Sequence, residues 1–374
     1  MSTDITLRPT NSVRLLWLDD VEDVHLWDAL VSSAPVPDVY YRPGYLSSYQ
    51  AAAHGHAVAL WVEAEGMQVL FPLLLQPVCN LPFDNEAGDY DAATPYGYGG
   101  LLILTGAQRP NAEQVRELLK TLQEWCRENR LISVMLRLHP VLRQGEWLVD
   151  ALEDEYRLHR LGLTTALDLS LWNETTDSIA TLNKGRRSDL SFARRHLEIS
   201  WASERDVFAE DLQRFYELYE HRMDQLHVRD FYHFPWEYYT ALANGLGSRF
   251  DIALAWLGDE AVGASLIMFD QKMAHYHLSA SNDEGRAHKA ATLILNATAS
   301  RARSKGCQRL HLGGGATGED KLFAFKQSFG GEIFQYSFVS LVSDRRRYEE
   351  LLQQRIASPN LPPLRGNFFP GYRA

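Results

Sequence analysis

His275-Tyr276-His277-Leu278-Ser279-Ala280-Ser281 begins the stretch that decides the fold. A run with helical spacing over 286–305 follows it. Then come Leu310-His311-Leu312-Gly313-Gly314-Gly315 and Leu322-Phe323-Ala324-Phe325-Lys326-Gln327-Ser328-Phe329-Gly330. The order predicts a strand, a long helix, a strand, a glycine loop and a short helix. Upstream, 251–257, 261–269 and 273–280 read as a strand meander with Gly258-Asp259 at its first turn. Before it lie helices over 187–197 and 206–226, the second with Phe208, Leu212, Phe215 and Tyr219 on one face. Downstream, 332–342 is a long strand and 344–355 a basic helix. The Pro-rich tail 358–374 carries Phe368, Phe369 and Tyr372, which predicts that it docks on the body.

The first half repeats this order. Helices over 21–32 and from Pro43 precede strands 56–63 and 67–76, which flank the turn Glu65-Gly66. Val115, Leu118, Leu119, Leu122 and Trp125 mark a helix over 111–129. Strands over 131–138 and within 156–169 complete it. Matching element order predicts two related α/β domains in tandem, 1–165 and 166–374, with the boundary near Leu163 to Leu171.

Length and composition agree with a multidomain globular chain. At ~150 residues per domain, 374 residues suggest two or three domains. A 45% hydrophobic and 23% charged composition supplies a large core and excludes disorder as the main state. An apolar run of about 18 residues, which a membrane helix needs, is missing from the sequence. Met1 to Thr10 lacks the basic-then-apolar pattern of a secretory leader. Cys79, Cys126 and Cys307 lie too far apart for a disulfide framework or a CxxC metal site. A cytoplasmic location is the expectation. Residues 1–165 hold 12 Lys and Arg against 22 Asp and Glu, and residues 166–374 hold 25 against 26. The acidic balance excludes general nucleic-acid coating but leaves room for basic patches in the second half.

Gly313 to Gly318 is a G-x-G-x-x-G after a strand. The next helix opens with Glu319-Asp320, which would repel a pyrophosphate, and Glu319 stands where a P-loop needs Lys. The better reading is a loop where backbone approaches a ligand closely. Arg286, His288 and Lys289 sit at the start of a helix, where cations oppose the helix dipole. A sequence that tolerates them there is suited to holding an anion. Lys184, Arg186, Arg187, Arg194 and Arg195 form a second basic cluster, read either as a solvated face or as a phosphate or RNA contact. Tyr96-Gly97-Tyr98-Gly99-Gly100 combines rigid rings with flexible backbone, as a ligand-facing loop does. His275, His277, Ser279 and Ser281 alternate, which predicts one polar face. H-E-x-x-H and G-x-S-x-G are missing from the sequence, and a third zinc ligand beside the two histidines is not apparent. Neither a metal nor a resident cofactor is expected.

The 275–281, 310–315 and 322–330 segments resemble the Fem-type (FemABX) and BioF2-like acyltransferases of the GNAT superfamily. So does Asn183-Lys184-Gly185-Arg186-Arg187, which resembles the basic helix that opens the second Fem domain. The run from Asp89 to Gly100 and the ending Phe369-Pro370-Gly371-Tyr372-Arg373 resemble the same group. The resemblance implies two tandem GNAT-like domains, each a mixed, mainly antiparallel sheet flanked by helices. The first would serve the acceptor and the second would be catalytic. It implies N-acyl transfer. Fem enzymes take the group from aminoacyl-tRNA to a cell-envelope precursor, and the BioF2-like relatives are taken to use acyl-CoA. A catalytically inactive GNAT-like binding module is the alternative.

The expected partners are a phosphate-bearing donor, aminoacyl-tRNA or acyl-CoA, and a small amine acceptor. The family's phosphate-loop pattern is met by Arg286 and Ala291, whereas Lys289 stands at its Gly position. On this basis the donor site is expected at Arg286, His288, Lys289, Gly313, Gly314, Gly315 and Phe325. The acceptor site is expected at Tyr96, Tyr98, His275, His277 and Ser279. Lys326 matches a Fem lysine that assists transfer. It should be held beside a face on which Phe325 and Phe329, at i and i+4, pack inward.

Overall fold

The first third of the chain runs β1 (Val13–Trp17), α1 (Val21–Ser33), α2 (Pro43–Ala51), β2 (His56–Ala64), β3 (Met67–Pro77), β4 (Tyr90–Ala93) and β5 (Leu102–Thr105). Then come α3 (Ala112–Glu128), β6 (Leu131–Arg137), α4 (Gln144–Leu148) and β7 (Tyr156–Asp168). Beyond these run β8 (Trp172–Asn173), β9 (Ser178–Ile179), α5 (Lys184–Ala193), β10 (Glu198–Trp201), α6 (Phe208–Leu226) and α7 (Trp236–Leu246). The meander β11 (Phe250–Leu257), β12 (Glu260–Phe269) and β13 (Met273–Ser281) follows. The chain then forms α8 (Asp283–Ala287), α9 (Ala290–Ser304), β14 (Arg309–Gly314), α10 (Lys321–Gln327), β15 (Glu332–Val342) and α11 (Arg345–Ala357). This computed structural model describes residues 5, 7–84, 88–153, 155–227, 233–315, 318–359, 361–364 and 368–374. Part of the Met1 to Thr10 stretch, and Ala316 and Thr317 of the glycine loop, lie outside the described residues.

Local chemistry explains the element ends. Asp20 caps α1 by accepting from the Glu22 and Asp23 amides. Asn111 and Gln114 form a reciprocal capping box on α3, whose apolar stripe from Val115 to Trp125 is buried. Glu65 and Gly66 both take positive φ, as the tight turn between β2 and β3 requires.

The chain forms two compact units. The first comprises 1–35, 40–161 and 336–374, and the second 36–39 and 162–335. In the first, the strand order is β1-β2-β3-β4-β6-β15, with β5 on β3. Only β4 and β6 are parallel among the registered pairs there, and α3 lies between them in sequence. In the second, the order is β7-β14-β13-β12-β11-β10. There β13 and β14 are the parallel pair, joined through α8 and α9. Each unit is therefore a mixed, mainly antiparallel sheet with one strand–helix–strand crossover, the fold class expected from sequence. Among the described residues, no helix is long and apolar enough to cross a membrane.

The compact units are not the contiguous halves 1–165 and 166–374. Residues 336–374 belong to the first unit, and 36–39 to the second. β15 pairs antiparallel with β6 and buries Val339 and Leu341 in the first unit's core, and charge adds to this. Asp84, Asp89 and Asp91 are buried at the base of β4, and arginines of the carboxy-terminal segment neutralise them. Arg347 donates to Asp84 at 2.7 Å and to Asp89 at 2.8 Å. Arg373 donates to Asp91 at 2.7 Å, and the buried Tyr372 hydroxyl bonds the same carboxylate. The tail thus docks as expected, and it does so within the first unit. With these segments exchanged, the first unit holds 18 Lys and Arg against 24 Asp and Glu, and the second 19 against 24. The imbalance between the sequence halves disappears.

Arg347→Ala would leave Asp84 and Asp89 buried without their main cation. It should destabilise the first unit by about 3–5 kcal/mol. Arg346, one position earlier, is exposed, and Arg346→Ala should change stability by less than about 0.5 kcal/mol. Urea unfolding of the two variants checks the contrast.

Candidate functional site

In the second unit, β13 and β14 pair in parallel only over Met273↔Arg309, Ala274↔Leu310 and His275↔His311. On its other edge β14 pairs with β7 along its whole length, from Arg309 opposite Asp168 to Gly314 opposite Thr164, whereas its pairing with β13 stops at His311. The two strands therefore part, and the glycines lie where they do so. A side chain at Gly315 would collide with the Gly318 carbonyl and the Asp320 carboxylate, so the loop closes only on glycine.

Asp320 caps α10, accepting from the Leu322 and Phe323 amides at 2.9 Å. That fixes the short helix, and its partly buried Lys326 reaches back to donate from Nζ to the Gly314 carbonyl at 2.7 Å. Burial lowers the Lys326 pKa to about 8, with Asp320 opposing the shift. Phe325 and Phe329 pack edge-to-face with ring centres 5.5 Å apart, and Phe329 is fully buried, as the i, i+4 spacing predicts.

Arg186 joins this group, although its helix gave no sign of the contact. Its guanidinium lies 5.1 Å from the Phe325 ring centre, donates to Thr292 Oγ1 at 3.2 Å and pairs with Asp189 at 3.0 Å. α5, the start of α9 and α10 thereby meet on one arginine. The rest of the basic cluster divides. Arg194 is held by Asp177, whereas the side chains of Lys184 and Arg187 are exposed and without an ion-pair partner among the described residues.

The segment expected as one helix over 286–305 is two, α8 and α9, broken at Lys289. Lys289 takes φ 64°, a left-handed conformation that suits glycine. It occupies the family's glycine position in glycine's conformation while adding an exposed cation to the first turn of α9. Arg286 is exposed but engaged, pairing with Asp283 and donating to the Ser281 carbonyl at 2.9 Å. His288 stacks on Phe192. Of these three residues, Lys289 alone is exposed without an ion-pair partner among the described residues.

The expected polar face of β13 does not form. Register with β12 shifts between Leu266 and Ile267, pairing Leu266 with Leu278 and Ile267 with Tyr276, so His277 is a bulge. The extra residue flips the alternation. Tyr276 now donates to Ser279 Oγ at 2.6 Å, while His275 bonds Asp38 at 2.7 Å, both deeply buried. His277 shares a 2.8 Å hydrogen bond with the Tyr238 hydroxyl, and burial with the neighbouring His275 pushes its pKa down to about 3.

In the first unit, Tyr96 and Tyr98 are half-buried in an aromatic cluster. The Tyr45 hydroxyl donates to the Tyr96 carbonyl at 2.6 Å, and Tyr98 packs edge-to-face on Tyr40 and Tyr336. A Cβ at Gly97 would lie 2.5 Å from the Tyr40 ring, so the loop is built around that contact.

Residues 184–327 match the sequence profile of the acetyltransferase (GNAT) domain family. The second unit therefore carries a GNAT domain. The chain shares the fold of the crystal structure of FemX at 15% identity, with a TM-score of 0.67, covering 87% of this chain and 98% of that one. A conserved protein of unknown function from Bacteroides thetaiotaomicron VPI-5482 aligns at 10% identity and TM-score 0.56, covering 85% and 97%. L-PGS from Bacillus licheniformis aligns at 11% and 0.53, covering 90% and 96%. No curated protein sequence matches the chain significantly.

Direct titration of Lys326, by NMR of the isotopically labelled lysines, should give a midpoint near pH 8 rather than 10.5. The folded value lies below the unfolded one, so the unfolded chain binds more protons between them. Unfolding free energy from this group therefore rises with pH from about 8 to 10.5. Lys326→Met should remove that rise, and a midpoint near the ordinary value would show a solvated ammonium.

Proposed function

We propose that this protein is an N-acyltransferase whose second unit moves an acyl or aminoacyl group from a phosphate-bearing donor onto an amine. The observation that carries this reading is Lys326, held on the Gly314 carbonyl where β13 and β14 part, within the segment that matches the GNAT domain. The acceptor amine attacks the acyl carbonyl, forming a C–N bond and a tetrahedral oxyanion. Collapse expels the donor's oxygen or sulfur, and the amine proton leaves to solvent or to the departing group. Protonated Lys326 stabilises the oxyanion, and the site otherwise works by positioning. Within the second unit, His277 and Ser279 are assigned to the acceptor. Gly313, Gly314, Gly315, Phe325 and Lys289 are assigned to the donor, together with Arg186.

Aminoacyl-tRNA is the favoured donor. Lys184, Arg187 and Lys289 present exposed cations on the first turns of α5 and α9, an arrangement suited to a run of backbone phosphates. Acyl-CoA is the second reading, favoured by the left-handed Lys289 at the glycine position of a phosphate loop. Mass spectrometry of reactions offering charged tRNA or acyl-CoAs with a panel of amines separates the two. Failure of every donor, in a protein that still binds one, would indicate a binding module.

Lys326→Ala should lower kcat by about 10²–10³ with little change in Tm. In the wild type, activity should fall as pH rises through about 8, because the cation is lost. Lys326→Arg keeps the charge and should shift that limb to higher pH, while near-normal turnover in a folded Lys326→Ala would refute the role. Lys289→Glu should weaken donor binding steeply, and the loss should shrink as salt screens the site.

A further inference from the structure

The first unit holds a second concentration of cations that the proposed reaction does not use. A cavity of about 540 Å³ opens between the end of α3, the start of β6 and the first turn of α11. Arg127, Arg130, Arg345, Arg346 and Arg347 line it, against Asp89, Asp344 and Glu350, which leaves an excess of two positive charges. This stands within a unit whose own Lys and Arg number 18 against 24 Asp and Glu.

Part of the cluster is structural. Arg347 and Arg130 divide the two oxygens of Asp89, and Arg347 also holds Asp84. Asp344 caps α11 by accepting from the Arg347 amide, and Arg346 pairs with Glu350 at 2.5 Å. Three of the arginines also keep guanidinium surface open at the cavity. Arg345 is exposed, and its side chain has no hydrogen-bond or ion-pair partner among the described residues. Arg127 spends Nε on the Ser343 carbonyl at 3.0 Å and pairs with Glu155 at 3.4 Å, yet its side chain stays 50% exposed at the cavity. Arg130 is 57% exposed on the same wall. Cations in the first turn of α11 also oppose its dipole, which an anion at that end would relieve.

We infer that this cavity binds a phosphate-bearing ligand through a phosphate or pyrophosphate group, at a site separate from the donor site of the second unit. Planar guanidinium groups match phosphate oxygens in pairs, and a charge excess of two suits a dianion. The volume falls in the range of about 300–1,000 Å³ common to ligand sites. No lining residue is aromatic, so a base would find no ring to stack on, and recognition rests on the phosphates. The phosphates could belong to a small diphosphate ester or to an RNA backbone.

The test uses the full chain with Lys289→Glu, so that the second unit contributes little anion binding. Inorganic pyrophosphate, ADP and a short RNA hairpin are titrated calorimetrically at two salt concentrations. Pyrophosphate should bind, more weakly at higher salt, and Arg345→Glu should weaken it by about tenfold or more with Tm unchanged. Arg127→Gln should do the same to a lesser degree. ADP matching pyrophosphate identifies a small ester. A hairpin that binds far more tightly, and loses that binding in Arg345→Glu, identifies RNA. Undetectable pyrophosphate binding, or equal affinity in folded Arg345→Glu, would overturn the site and leave only the charge network that docks the carboxy-terminal segment.

Discussion

Three carboxylates buried at the base of β4 set the condition that the first unit must satisfy. An isolated ionised carboxylate inside a protein is so unfavourable that it must be neutralised or paired. Asp84, Asp89 and Asp91 are paired by Arg347 and Arg373, which enter from more than 250 residues away in sequence. β15 and α11 bring those arginines in, and the tail closes with Tyr372 against Asp91 and Ser133. Without this segment β4 would be a strand with two bare charges in its path, and the β4–β6 parallel pair would have no stable edge. The topology of the first unit thus has to meet an electrostatic requirement as well as bury its apolar core.

The second unit is organised around backbone instead. The parting of β13 and β14 exposes strand-end carbonyls and amides, and glycines at 313–315 let other groups approach them. Lys326 satisfies one of those carbonyls, and sheltering its ammonium there is what lowers its pKa. Arg186 then fixes the surrounding helices through Phe325 and Thr292. A cation held by packing on one side and a carbonyl on the other has little freedom. That is what electrostatic stabilisation of a transition state requires.

What was legible in sequence was periodic. The α3 stripe, the meander from β11 to β13 and the i, i+4 pairing of Phe325 with Phe329 all follow from apolar spacing, and all are present. What was hidden depends on single residues or distant partners. β4 is not among the strands expected from sequence, because Asp89 and Asp91 flank Tyr90, and Arg130, Arg347 and Arg373 make those carboxylates compatible with a buried strand. The bulge at His277 leaves no trace in an alternating pattern, yet it moves Ser279 to the side of Tyr276 and undoes a shared face with His275. Lys289 is helix-compatible by composition, and its left-handed turn is imposed by the need to start α9 in a new direction. Arg186 was visible as part of a basic cluster, but its choice of Phe325 and Thr292 is a tertiary fact.

Lys326 and His277 have opposite electrostatic fates, and this narrows their roles. Burial disfavours the charged form of both. For His277 that means a pKa of about 3, so the imidazole is neutral throughout the range in which proteins work. Its 2.8 Å hydrogen bond with the Tyr238 hydroxyl holds the neutral ring in place as a wall. The same penalty on Lys326 starts from a much higher value and ends at about 8, which leaves it mostly charged at pH 7 and within reach of neutrality. Identical physics applied to two side chains therefore yields one fixed surface and one adjustable cation. The adjustable one sits on the backbone where the strands part, the place at which the proposed reaction would form its oxyanion.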